Sequence, residues 1–215
     1  MTYLQLVNNI LKRLRERTVS SVNENSYSSL IGVLVNDAKH EVEDAWDWSA
    51  LRSTLSATTT SGIFNYELNG SQNRIKILDV INDSDDLFME YKDAKWMDRV
   101  FLTTTPENGS PMYYSFNGVS NDGDTLVDLY PIPDGTYNIR FNCILRTADL
   151  SLDADDLGIP SQPVLALAYA KAIEERGEDG GVGASSAYAT AQRALNDAIS
   201  FDAHKHPEEL IWQEV

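Results

Sequence analysis

The chain has 215 residues, 33 of them acidic and 17 Lys or Arg, for a formal charge of -16. That balance excludes a general nucleic-acid binder, whose phosphate contacts need clustered cations. A 42 % hydrophobic fraction permits a packed core, the single cysteine cannot close an internal disulfide, and no run approaches the ~20 apolar residues of a membrane span.

Residues 1–10 lack the basic leader and apolar run of a signal peptide, so a disulfide-free protein of a reducing compartment is expected. Leu4, Val7, Leu11 and Leu14 recur at steps of three and four. They predict an amphipathic helix over residues 3–17, with Lys12, Arg13, Arg15 and Arg17 on its other face. After a linker at residues 18–21, Asn23 reads as the N-cap of a second helix, with Glu24 suited to the positive end of its dipole. Val22 and Tyr27 read as its hydrophobic staple. Leu30, Leu34, Ala38, Val42 and Ala45 keep helical spacing as far as Trp48, which at about 1.5 Å per residue predicts a helix almost 40 Å long.

Beyond Leu51 the texture becomes that of strands. Residues 53–61 are rich in Thr and Ser, and short apolar runs follow at 63–68, 74–81, 87–92, 112–116 and 125–130. Asn69-Gly70, Asn108-Gly109, Asn117-Gly118 and Asp122-Gly123 break them. Tyr137, Ile139, Phe141, Cys143 and Leu145 alternate with Asn138, Arg140 and Asn142, the period-two pattern of a half-buried strand. Residues 131–135, Pro-Ile-Pro-Asp-Gly, read as a tight turn joining it to the preceding strand, with Gly135 free to take positive φ. A short helix is expected near residues 94–101.

Helix returns after an acidic connector carrying Asp153, Asp155 and Asp156. Ile159-Pro160-Ser161 sets up a start, Pro163 fits the first turn, and Gly177 reads as a C-cap after Arg176. Residues 178–183 read as a Gly-rich hinge. Residues 184–201 read as a further helix with Tyr188, Ala191, Leu195, Ala198 and Ile199 near one face. No one of these amphipathic helices can bury its stripe alone. The expected fold is therefore α+β: an antiparallel bundle of about four helices, with a β-sandwich or small β-barrel inserted between helices 2 and 3. In this division residues 1–51 and 149–201 form the bundle, 52–148 the β domain, and 202–215 an extended C-terminal arm.

No pattern reads as a catalytic, cofactor or metal site. Gly180-Gly181-Val182-Gly183 lacks the Lys and preceding strand of a phosphate loop, and His40-Glu41 is followed by Asp44 where a zinc protease has its second His. His204 and His206 need metal ligands from elsewhere, and Asp153, Asp155 and Asp156 match a calcium loop only in composition. The adjacent pairs Glu174-Glu175 and Asp85-Asp86 are what chance places among so many acids. Two other features invite a role. Trp46 and Trp48 fill the junction between subdomains or anchor a subunit interface, where Trp is enriched. Leu210, Ile211 and Trp212, apolar within a hydrophilic terminus, dock on the same chain or on a partner.

The opening Leu4-Gln5-Leu6-Val7-Asn8-Asn9-Ile10-Leu11 resembles the head-to-tail adaptor proteins of tailed bacteriophages, of the tail-tubular-protein-A-like or tail-accessory-factor-like kind. Val35-Asn36-Asp37-Ala38-Lys39 leading to Trp46-Asp47-Trp48 is similar as well. So are the strand-turn-strand at 129–137 and the late helix that starts at Ile159-Pro160 and carries Ala168 to Glu175. The resemblance implies a structural, non-enzymatic protein of the virion neck, made in the host cytoplasm. It implies a homo-oligomeric ring, usually of twelve copies, beneath the portal protein, joined to the tail or nozzle protein and lining the channel for genomic DNA. It implies no cofactor and no membrane partner, and it makes Leu210, Ile211 and Trp212 a portal-binding arm. The alternatives are a tail-completion or tail-tube-associated structural protein and a carbohydrate-binding or glycan-cleaving module.

Overall fold

The computed structural model describes every residue except 73, 104, 178–181 and 206–215. In chain order its elements are α1 (Tyr3–Arg13), α2 (Ser26–Ala45), a 3-10 turn (Ser49–Leu51), β1 (Arg52–Thr58), β2 (Asn65–Glu67), β3 (Ile75–Asn82), β4 (Leu87–Phe88) and β5 (Glu90–Tyr91). There follow α3 (Ala94–Thr103), β6 (Tyr113–Val119), β7 (Thr125–Tyr130), β8 (Asn138–Leu145), α4 (Ser161–Arg176) and α5 (Val182–Ala203). The chain divides into two compact units, one of Met1–Leu51 with Thr147–Val215 and one of Arg52–Arg146.

The first unit is helical, and α4 is its central element. It packs against α1, α2 and α5, and Pro163, Val164, Leu165, Ala166, Ala168, Ala170 and Ala172 are all buried. A helix apolar around most of its circumference is one with neighbours on several sides. Gly177 ends it in the left-handed conformation at φ 63, its N–H bonded to the carbonyls of Ile173 and Glu174.

α1 and α2 differ from the sequence expectation in their ends and faces. α1 opens with a capping box between Thr2 and Gln5 and stops at Arg13, four residues early. Arg15 takes φ 60, and the N–H groups of Arg15 and Glu16 reach back to the carbonyls of Lys12 and Leu11, a Schellman closure without glycine. Its buried face is Tyr3, Leu6, Val7, Ile10 and Leu11, while Leu4 and Leu14 are half-buried. α2 is capped by Asn25 with Ser28, not by Asn23, and its 20 residues make it about 30 Å long. Ile31, Val35, Ala38 and Val42 form its buried row, Leu30 and Leu34 are half-buried, and Ala45 is exposed. Gly32 lets α1 approach: a Cβ there would overlap the Tyr3 hydroxyl and lie 2.8 Å from Val22 Cγ1. The acidic connector ties these starts together. Asp153 accepts from Val22 N–H and Asp155 from the N–H groups of Ser151 and Leu152, while their carbonyls take the N–H groups of Leu4 and Tyr3.

The second unit contains two four-stranded sheets, ordered β1-β8-β3-β4 and β2-β7-β6-β5. Neither is closed, so the barrel alternative falls. Ala57, Val80, Ile139 and Phe141 of the first sheet share one core with Tyr114, Val127 and Leu129 of the second. The segment 131–135 is not a hairpin turn. β7 and β8 belong to different sheets, so the segment carries the chain from one to the other after a cis Tyr130–Pro131 bond, and Gly135 keeps an ordinary φ. Alternation along β8 holds through Cys143 and then breaks, since Ile144 is buried and Leu145 half-buried. The short helix near 94–101 is α3, which brings the α-helices among the described residues to five. Its Trp96 and Phe101 meet Tyr113, Tyr130 and Phe64 in tilted and edge-to-face contacts, with ring centroids 4.7 to 5.8 Å apart.

Candidate functional site

Among the described residues no group of three or more His, Cys, Asp or Glu is arranged to hold a metal, and no helix is long and apolar enough to cross a membrane. The acidic pairs take up structural contacts. Glu174 accepts from the Tyr188 hydroxyl at 2.5 Å and Asp85 from the Ser110 hydroxyl. Burial and the Glu174 carboxylate push the Tyr188 phenol up to about 12. His40 Nε2 lies 2.6 Å from Asp149 Oδ1, and burial pushes the Cys143 thiol up. Residues 180 and 181 lie outside the described residues, and Val182 and Gly183 open α5.

The two tryptophans at the end of α2 have unlike environments. Trp48 is fully buried and its indole N–H donates to the Val42 carbonyl at 2.6 Å, folding the chain back on the last turn of α2. Trp46 is the extended C-cap residue and half-buried, and its indole nitrogen is enclosed without a hydrogen-bond partner among the described residues. One helical turn earlier lies a pair that sequence reasoning missed. Lys39 and Glu43 are buried at 1 % and 0 % side-chain exposure, 3.2 Å apart. Lys39 also donates to the Thr147 carbonyl at 2.9 Å, and the Thr147 hydroxyl donates to Glu43 at 2.7 Å. An i,i+4 Lys–Glu pair reads as a solvated face from sequence, and nothing local distinguishes this one.

The C-terminal region begins later than residue 202. Asp202 is still helical and buried, accepting from the Ser49 N–H at 2.8 Å, the Ser49 hydroxyl at 2.6 Å and Lys205 Nζ at 3.1 Å. Burial opposes its charge, but these bonds outweigh it and hold the carboxyl below its ordinary range. Leu210, Ile211, Trp212 and His206 lie outside the described residues, and His204 is exposed.

Two concavities mark the α5 side of the helical unit. One, about 440 Å3, lies among α2, α4 and α5, where Glu41, Tyr188 and Gln192 meet Val42, Leu167 and Leu195. The other, about 590 Å3, runs between the start of α4 and the end of α5, lined by Pro160, Pro163, Arg193, Ala198 and Phe201. Phe201 is 78 % exposed, an uncommon state for a phenyl ring. Among the described residues neither concavity brings together a nucleophile, a base and a group that orients it.

No curated protein matches the chain. The family model of the SU10 adaptor protein matches residues 1–208, spanning both compact units. The chain therefore belongs to the SU10 adaptor protein family, and it is a phage structural protein of the adaptor type.

Proposed function

We propose that this protein is the head-to-tail adaptor of a tailed phage, of the tail-tubular-protein-A-like or tail-accessory-factor-like kind. Twelve copies form a ring beneath the portal in the virion neck, offer a platform to the tail or nozzle, and line the channel through which genomic DNA passes. The family match over residues 1–208 is the observation that carries this reading. Charge supports it, because a ring of subunits each at -16 repels DNA phosphates instead of retaining them. The exposed Phe201 and the grooves beside α5 supply surface for subunit and portal contacts. No catalytic role is assigned: the most conspicuous carboxylates, Glu174 and Asp85, are bonded to Tyr188 and Ser110.

The test is to mix the purified protein with the portal of the same phage and image the particles. A ring of adaptors on one face of the portal is the expected result. Portal that stays bare at saturating adaptor would sink the proposal, and a ring on the tail tube instead would favour a tail-completion role.

A further inference from the structure

An unpaired row of strand N–H and C=O groups is a template for another strand, and sheets ordinarily shorten, bulge or charge their edges to prevent it. The edges here follow that rule with one exception. β2 has three residues, and β4 and β5 have two each. β3 pairs with β4 only at Ile81 and Asn82, and a bulge between Ile77 and Asp79 interrupts the rest of that strand. β1 is different. It ends its sheet, runs seven residues in unbroken register against β8, and contains no Pro, Lys or acid, its one charge being Arg52 at the first position.

Parity identifies the open groups. The Thr59 N–H donates to the Tyr137 carbonyl, in continuation of the β1–β8 register. Residues 57, 55 and 53 therefore turn their backbone groups toward β8, while Arg52, Thr54, Ser56 and Thr58 turn theirs to the open edge. All four are exposed, and the Thr54 and Thr58 hydroxyls are bonded back to Asn142 and Asn138. Among the described residues no strand pairs with that edge.

We propose that the β1 edge is a contact surface for a second copy of this chain, joined β1 to β1 in an antiparallel register centred on Leu55. Of the described strands only β1 presents an open edge that is both long and unbulged, so self-pairing is the arrangement that covers both edges at once. Centring on Leu55 sets Arg52 opposite Thr58 and Thr54 opposite Ser56 as hydrogen-bonded pairs, and every open N–H and C=O finds a partner. Moving the centre by one residue either way leaves one end unpaired. No like charges face each other in this register. The half-buried Leu55, which packs against the sheet core, meets its own symmetry mate at the cross-strand distance that favours apolar pairs. The contact is two-fold and isologous, whereas a ring closes through heterologous contacts. It is therefore a state of the free protein, and it does not depend on the adaptor reading.

The experiment is sedimentation of the full chain across the micromolar range, with three variants. The wild type is expected to dimerise with concentration. Ser56→Pro removes an N–H from the open edge and spares the ladder to β8, so it should be monomeric with wild-type melting. Thr54→Lys charges the edge and should do the same, which keeps the test decisive if Ser56→Pro does not fold. Leu55→Cys, under mild oxidation, should form a covalent dimer, because residues opposite in a non-hydrogen-bonded pair come within disulfide reach. Cys143 is buried and does not compete. A wild type that remains monomeric overturns the proposal, as does a dimer that survives in a folded edge variant. Portal attachment, imaged separately, reports on the adaptor reading alone.

Discussion

Lys39 and Glu43 show how much one buried contact can control. Each ion is fully enclosed, and their mutual attraction together with Thr147 offsets the loss of water. Lys39→Met leaves the Glu43 carboxylate buried without its counter-ion, held by the Thr147 hydroxyl, and should cost about 3–5 kcal/mol. Adding Glu43→Leu removes the orphan, and urea titration of the double variant should recover much of that loss. Asp202 sets a pH dependence. Its carboxyl is depressed in the fold by Ser49 and Lys205 despite burial, so its stabilisation is present above the unfolded carboxylate pKa and fades as pH falls through the lower folded value. Asp202→Asn should therefore melt well below the wild type at neutral pH and approach it in acid. A constant difference across the acid range would mean that the charge of Asp202 is not what Ser49 recognises.

At the scale of elements, β8 is the strand both sheets depend on for their shared core. Ile139 and Phe141 are fully buried, whereas Arg140 faces outward and pairs with Asp83 at 2.9 Å. Phe141→Ala should cost about 3 kcal/mol or more by cavity formation, and Arg140→Ala about 1 kcal/mol or less, since exposed ion pairs contribute little. Equal losses in chemical denaturation would mean that the strand's two faces are not distinguished. This strand was legible because a period of two is a local property, and so was α4 with its Gly177 stop. The end of α1 was not. Arg15 in the left-handed region is an uncommon choice, and the hydrogen bonds that close the helix leave no mark on composition. The buried faces of α1 and α2 were legible in part. Val7, Leu11, Ala38 and Val42 are buried as their spacing predicts, whereas Leu4, Leu14, Leu30 and Leu34 are half-buried and Ala45 exposed. Leu6, Ile10, Ile31 and Val35 offer a second row at helical spacing, and packing decides between them.

At the scale of the whole molecule, the described chain ends at Lys205, whose ammonium contacts both Asp202 and the Ser49 hydroxyl. Truncation after Lys205 keeps these contacts and removes Leu210, Ile211 and Trp212. The shortened protein should melt within a degree or two of the full chain, by the ~0.5 kcal/mol scale of surface changes. Under the arm hypothesis it should no longer attach to the portal. A marked loss of stability would assign the arm to the protein's own core, and unimpaired attachment would leave the helical faces as the portal contact.

Local sequence determined which stretches are helical and which extended, which residues of β8 face inward as far as Cys143, and where α4 stops, because these follow from side-chain period and from the special conformations of glycine. Tertiary structure alone decided that β7 and β8 part into separate sheets, that the sheets stay open, and that Lys39 and Glu43 are inside. The physical reason is the same in each case. A strand's partner and a charge's solvent exposure depend on groups distant along the chain, such as Thr147 against Lys39 or Arg52 against Ile144. A short window of sequence reports only which face of an element is apolar, not what will cover it.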